Sequence, residues 1–84
     1  MNGHVQDIFV DILVSYFHCD RQLCSDHLDQ KLTLEPFMLQ GFDLVYLMLF
    51  VEQAFGIRFT EEDVLHFGLE TPRLYIEKIQ AHLT

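Results

Sequence analysis

Apolar residues recur at helical spacing in three long stretches of this chain. They follow one another at steps of three and four over about residues 4–17, and again over about 72–83. The stretch of about 41–55 is apolar on most of its sides, and a shorter helical segment of about 61–67 follows it. The pattern predicts an all-α fold, a four-helix bundle with a long first loop and a short third helix.

The predicted helices have recognisable ends. Gly56 directly follows the second helix, where a C-terminal glycine is expected. Thr60 precedes three acidic residues, which is typical of an N-cap and an acidic first turn. Thr71 stands before Pro72, and proline is favoured at the first helical position. Residues 18–36 between the first two helices are mostly polar, and we interpret them as a connection with one short helical turn, held to the core by its leucines.

The spacing also predicts which side chains face the core. In the first helix these are Val5, Ile8, Phe9, Ile12, Leu13, Tyr16 and Phe17. In the second helix they are Leu44, Leu47, Met48, Val51 and Phe55. In the last two helices they are Val64, Phe67, Leu74 or Tyr75, Ile76, Ile79 and Leu83.

Composition narrows the classes of function. The 84 residues, 50% of them hydrophobic, suffice for a single small domain over 1–84. A net charge of −8, from 13 acids against 5 Lys and Arg, repels phosphate backbones and favours a basic protein partner over nucleic acid. The longest apolar run, Leu44–Val51, is too short to span a bilayer. Without a basic signal-peptide start, the two cysteines indicate a cytoplasmic protein with free thiols.

One segment resembles a known family. The run Glu52–Phe59, Glu-Gln-Ala-Phe-Gly-Ile-Arg-Phe, is followed by Thr60–Asp63, Thr-Glu-Glu-Asp. Together with Asp43, Val45 and Leu47 upstream, it resembles the second and third helices of acyl carrier proteins. The resemblance is specific from Asp43 to Asp63, and before residue 37 it rests on the order of helices alone. It implies an acyl-carrier-protein-like bundle.

The family's attachment residue is missing. Acyl carrier proteins have Asp-Ser-Leu at the start of the second helix, and the serine hydroxyl carries 4′-phosphopantetheine. Family spacing, counted back from Phe55, places that serine at Gly41, within Gln40-Gly41-Phe42. Glycine has no side chain that could form the phosphodiester. The resemblance therefore implies a protein without the prosthetic group or any other cofactor, and without enzymatic activity.

The chain is similar to the acyl carrier-related proteins of bacterial peptide-maturation systems, which lack the attachment serine. This similarity implies a helper or scaffold role in modifying a ribosomally made peptide. The family's acidic second-helix face is largely apolar here, since Tyr46 stands where an acid is usual and only Asp43 and Glu52 remain. We expect a protein partner to bind this helix, or a second copy to associate through it. The expected contact residues are Phe42, Tyr46, Leu49, Phe50 and Gln53.

Other interpretations remain open. Gly41 could instead be a helix-start glycine required by backbone geometry in an unrelated domain. The apolar sides of the second helix, Phe42, Val45 and Phe50 among them, could be core. Ser25 could serve as an unusual phosphopantetheine attachment residue in a working carrier. Two thiols and two imidazoles within one short segment are ligand types for zinc, although their spacing is irregular. These are His18, Cys19, Cys24 and His27, of which Cys24 and His27 could also form a nucleophile pair.

Overall fold

The computed structural model describes residues 2–65 and 68–84. Within these ranges the chain forms five helices and no strand, so the predicted all-α class is confirmed. The helices are α1 (Asn2–Phe17), α2 (Arg21–Asp26), α3 (Phe42–Phe55), α4 (Glu61–Val64) and α5 (Pro72–Leu83). α2 lies in the segment that was predicted as a loop with one helical turn, and it adds a fifth helix to the predicted four.

α1 is the helix around which the others pack. It contacts α2, α3 and α5, and the side chain of Phe9 lies at the centre of these contacts with no exposed surface. The ring of Phe9 packs on the ring of Tyr75 from α5, with 5.1 Å between centroids. The buried apolar side chains form one core: Val5, Phe9, Val10, Ile12, Leu13, Cys24, Leu32, Phe37, Leu39, Leu47, Val51, Tyr75, Ile76 and Ile79.

The predicted stripe of α1 is correct at its centre and wrong at its edges. Ile8 and Tyr16 were predicted to face the core, but they are 37% and 56% exposed. Val10, which lies outside the predicted stripe, is buried. Because α1 is contacted by three helices, its buried surface extends around more of the helix than a single stripe.

α2 begins with two local interactions. The carboxylate of Asp20, its N-cap, accepts a hydrogen bond from the N–H of Leu23 at 3.1 Å. Cys19 stands immediately before the cap and Cys24 is the fourth helical residue, and the two thiols influence each other's pKa. Apolar residues at these two positions form a hydrophobic staple, which fixes the direction in which the chain enters a helix. Here the staple consists of two cysteines.

The connection after α2 is held against the start of α5. The N–H of Leu32 donates to the carbonyl of Glu70, and the N–H of Arg73 donates to the carbonyl of Leu28, both at 2.9 Å. Leu32 is buried, as are Phe37 and Leu39 further along the connection, while Leu34 is 47% exposed. The long connection therefore contributes to the core, but the expectation that its leucines hold it there is correct only for Leu32 and, in part, Leu28.

The predicted ends of α3 and α5 are confirmed. Gly56 adopts the left-handed conformation that caps α3, with φ 66° and ψ 35°, and its N–H donates to the carbonyl of Glu52. The hydroxyl of Thr71 accepts from the N–H of Leu74 at 3.2 Å, with Pro72 in the first turn of α5. In α5 it is Tyr75, rather than Leu74, that is buried, and Leu83, which was predicted to face the core, is 51% exposed.

α4 has the predicted capping box but not the predicted buried side chain. Thr60 and Asp63 each accept a hydrogen bond from the other's backbone N–H. Val64, which was predicted to be buried, is 47% exposed. Asp63 takes the inward position instead and contacts Nε2 of His82 from α5 at 2.7 Å. The backbone N–H of Thr60 and then His82 lower the pKa of Asp63. Phe67, also predicted to be buried, lies outside the described residues.

Candidate functional site

Four of the five sequence-predicted contact residues lie together on the side of α3 that faces away from the core, and the fifth, Phe50, lies at the edge of that side and packs partly against the core. At 100° per residue, Leu47 and Val51 define the buried side of the helix, and both have no exposed surface. The opposite side carries a set of mostly apolar residues that we call the α3 outer face: Phe42, Val45, Tyr46, Leu49, Phe50 and Gln53. The exposed fractions are 80% for Phe42, 53% for Tyr46 and 50% for Leu49. This side of α3 is therefore surface.

The interpretation of Phe42 and Val45 as core is wrong, whereas Phe50 is half-buried. Phe42 has the largest exposed fraction among the large apolar side chains of the described residues, and Val45 is 48% exposed. They differ from Phe50, which stacks on Tyr16 of α1, because the residues that the structure describes leave Phe42 and Val45 about half uncovered or more. The connection after α2, which could have covered them, packs against the start of α5 instead.

The α3 outer face continues onto the end of α1 through stacked aromatic rings. Phe50 stacks on Tyr16 of α1 with 4.1 Å between ring centroids and 13° between ring planes. The centroid of the Phe50 ring also lies 6.4 Å from the centroid of the Tyr46 ring. Tyr16 thus belongs to the same exposed apolar surface, which the sequence did not predict because Tyr16 falls in the apolar stripe of α1. Aromatic pairs of this kind hold the rings in fixed orientations.

Gly41, at the family's attachment position, adopts a backbone conformation that only glycine tolerates readily. It precedes the first residue of α3 with φ 52° and ψ −116°. The N–H of Asp43 donates to the carbonyl of Gln40 at 2.9 Å, so residues 40–43 form a turn with the dihedral angles of type II′ at Gly41. A Cβ at Gly41 would meet no atom within 4 Å. The backbone conformation therefore favours glycine at this position, and steric crowding adds nothing to that preference.

A mostly apolar cavity of about 490 Å³ borders the α3 outer face. It lies between α3, the connection at Lys31–Thr33, α4 and the ring of Tyr75. Val45 lines the cavity and also belongs to the α3 outer face. At its rim the ammonium of Lys31 lies 3.3 Å from the carboxylate of Glu70. The surrounding apolar side chains raise the pKa of Tyr75, since burial disfavours its charged form.

The zinc ligands considered from the sequence are not brought together. In residues 2–65 and 68–84, no three or more His, Cys, Asp or Glu side chains are grouped so that they could hold a metal ion. Nδ1 of His27 lies 2.8 Å from the carbonyl oxygen of Leu23, and His18 is exposed. Cys19 and Cys24 are free thiols of the helix staple. The zinc interpretation therefore lacks the ligand geometry it requires. Cys24, the thiol of the considered nucleophile pair, has no exposed surface.

The buried thiol of Cys24 makes the fold sensitive to alkaline pH. Burial raises the pKa of Cys24 from its ordinary value of 9.0 to about 12, with a further contribution from the neighbouring Cys19. The folded chain thus holds this proton more tightly than the unfolded chain. The protonated thiol of Cys24 therefore stabilises the folded state fully below pH ~9, and this stabilisation is lost as the pH rises toward ~12.

We expect the free energy of unfolding to decrease above pH ~9, with Cys24 contributing up to about 1.4 kcal/mol per pH unit, the limit for one proton. Urea unfolding of the wild type and of Cys24→Ala, each from pH ~7 to pH ~11, measures that contribution. Tyr75 has a raised pKa in both proteins, so the difference between the two pH profiles belongs to Cys24 and to its coupling with the Cys19 thiol. Parallel profiles would show that Cys24 does not titrate differently in the folded state.

The remaining candidate, Ser25, is accessible. It is exposed in α2, as is Ser15, the chain's other serine, in α1. Among the described residues, no helix is both long enough and apolar enough to cross a bilayer. Comparisons with protein-family models, curated proteins and solved structures found no match to this chain.

Proposed function

We propose that this chain is a non-enzymatic protein-interaction module, related to acyl carrier proteins but without the phosphopantetheine serine. In this proposal it serves the maturation of a ribosomally made peptide, as a helper or scaffold. The observation that carries the interaction is the α3 outer face, where Phe42, Val45, Tyr46 and Leu49 are each about half exposed or more. Several exposed apolar side chains on one face of a helix are typical of a contact surface.

The carrier relationship is supported by the segment from Asp43 to Asp63. Its family-like residues form α3, the Gly56 cap and the capped start of α4, in the order that the resemblance implies. The loss of the prosthetic group is supported by Gly41, which lacks a hydroxyl and has a backbone angle unfavourable to serine. A carrier that has lost its covalent chemistry retains a helix for binding partners, and here that helix is apolar.

Incubation with coenzyme A and a broad-specificity phosphopantetheinyl transferase tests the loss of the prosthetic group. We expect the intact mass to remain unchanged, because Gly41 offers no hydroxyl and Ser25 lies in a different helix. A conventional acyl carrier protein in the same reaction shows that the transferase is active. A gain of one phosphopantetheine that disappears in Ser25→Ala would identify the chain as a working carrier.

Affinity purification from the host tests the interaction itself. The wild type is compared with the double variant Tyr46→Ser and Leu49→Ser, and with Leu23→Ser as a matched control, because Leu23 is 45% exposed but lies on α2. We expect a peptide-modifying enzyme or its precursor peptide to be identified with the wild type and the control, and to be lost with the double variant. The same set of proteins with all three baits would contradict the proposal.

A further inference from the structure

The charges around the α3 outer face restrict the chemistry of its partner. Four of the five Lys and Arg side chains are in contact with carboxylates of the same chain: Arg21 with Asp11, Lys31 with Glu70, Arg73 with Asp29 and Lys78 with Asp63. The remaining one, Arg58, follows α3, and α3 itself contains no Lys, Arg or His. The charge excess of eight acids therefore lies at the surface as carboxylate.

Some of these carboxylates belong to α3 itself or to α4, two of the helices that line the cavity beside the α3 outer face. Asp43 is exposed in the first turn of α3, and one of its carboxylate oxygens accepts a hydrogen bond from the N–H of Gln40 at 3.4 Å. Glu61 and Glu62 are exposed on α4, whose Val64 lines the same cavity as Val45. Glu52, on the other flank of α3, accepts a hydrogen bond from the N–H of Phe59 at 2.8 Å, so it already has a partner within the chain.

The shape of the surface indicates a helical partner. Phe42, Tyr46, Leu49 and Gln53 follow one another at steps of four, three and four, which aligns them in one ridge along α3. At 1.5 Å per residue the ridge is about 16 Å long. A ridge with this spacing packs into the groove between apolar residues of another helix. It is also rich in aromatic faces, on which guanidinium groups stack well.

We propose that the α3 outer face binds a basic amphipathic helix, whose apolar side covers Tyr46 and Leu49 and whose flanking arginines contact the aromatic rings and the nearby carboxylates. This inference rests on the proposed interaction function and adds the chemistry of the partner. A second copy of the chain is a poorer occupant, because each copy carries a net charge of −8. In addition, α3 contains no cationic side chain that could contact the carboxylates of the second copy.

Three synthetic peptides of about 18 residues, long enough to remain partly helical, test the partner chemistry. They share one leucine ridge and differ only in flanking residues, which are all Arg, all Lys or all Glu. Binding is followed by fluorescence anisotropy at ~50 mM and ~200 mM NaCl. We expect the Arg peptide to bind about two- to fivefold more tightly than the Lys peptide, and the Glu peptide to bind at least about tenfold more weakly. Higher salt weakens binding of both basic peptides.

The location of the site is tested with the same variants. Tyr46→Ser with Leu49→Ser is expected to weaken binding of the Arg peptide about 30-fold or more, as for central interface residues. Leu23→Ser is expected to leave it unchanged, and circular dichroism shows whether each variant is folded. Equal loss in Leu23→Ser, or no loss in the double variant, would overturn the assignment of the site.

Two further outcomes separate this inference from the proposed function. In the first outcome, the Glu peptide binds as tightly as the Arg peptide, or no peptide binds, while host purification still depends on Tyr46 and Leu49. The basic helix would then be the wrong partner, but the proposed interaction surface would remain. Sedimentation equilibrium provides the other outcome. A dimer that Tyr46→Ser with Leu49→Ser dissociates would make a second copy the occupant and overturn the proposed partner.

Discussion

Replacing Leu47 with alanine is expected to lower the free energy of unfolding by about 2–5 kcal/mol, the usual range for truncating a buried leucine. Leu47 has no exposed surface and belongs to the side of α3 that faces the core. For a domain of this size the total stability is only about 0.05–0.15 kcal/mol per residue, so the loss is a large fraction of it. Thermal and urea unfolding, followed by circular dichroism, measure the change.

Leu49→Ala is the matched control for Leu47→Ala. It removes the same atoms from the same helix two residues later, but Leu49 is 50% exposed. We expect its effect on stability to be within about 0.5 kcal/mol, as for most surface substitutions. Equal destabilisation by the two substitutions would mean that the α3 outer face is covered by the protein itself. Both the proposed function and the basic-helix inference would then lose their surface.

The sequence predicts the three long helices because each has a clear period and recognisable ends. Gly56, Thr60 and Thr71 have the cap roles expected of them, and these roles depend only on neighbouring residues. The sequence predicts no more than one helical turn in the polar segment of residues 18–36. The reason is that α2 is short and is stabilised by Asp20 and two cysteines rather than by an apolar stripe. Local chemistry of this kind has no period to detect.

Burial is harder to predict than helix position, as α1 and α4 show. Val10 and Tyr16 differ from expectation because the number of helices that pack on α1 is a tertiary property. Val64 is exposed because Asp63 takes the inward position, and its partner His82 lies in another helix. No pattern within a single segment contains this information.

The candidate site illustrates the same limit. The sequence shows that α3 is apolar on most sides. This is compatible with a fully buried helix, or with a helix that packs on the core on one side and on a binding partner on the opposite side. Only the positions of α1, α5 and the connection after α2 show that Phe42, Tyr46 and Leu49 remain uncovered by described residues. That Phe42, Tyr46 and Leu49 share one side of α3 was therefore predictable from their spacing, while their exposure was not.

Gly41→Ala is expected to lower the free energy of unfolding by about 1–3 kcal/mol, the cost of holding an L-residue in a sparsely populated backbone conformation. The methyl group itself meets no atom within 4 Å, so steric crowding adds nothing to this cost. Gly41→Ser, which restores the residue that acyl carrier proteins have here, should lose a similar amount. Urea unfolding at neutral pH measures both changes.

A D-alanine at Gly41 separates the backbone explanation from any other. The angles φ 52° and ψ −116° are the mirror image of a favourable extended conformation, so a D-residue adopts them without strain. Total synthesis with ligation at Cys19 or Cys24 gives this protein, and we expect it to be at least as stable as the wild type. If L-alanine is tolerated as well as D-alanine, the turn does not require glycine. The absence of serine at residue 41 would then need a functional reason instead, and the loss of the prosthetic group would become the stronger explanation of this position.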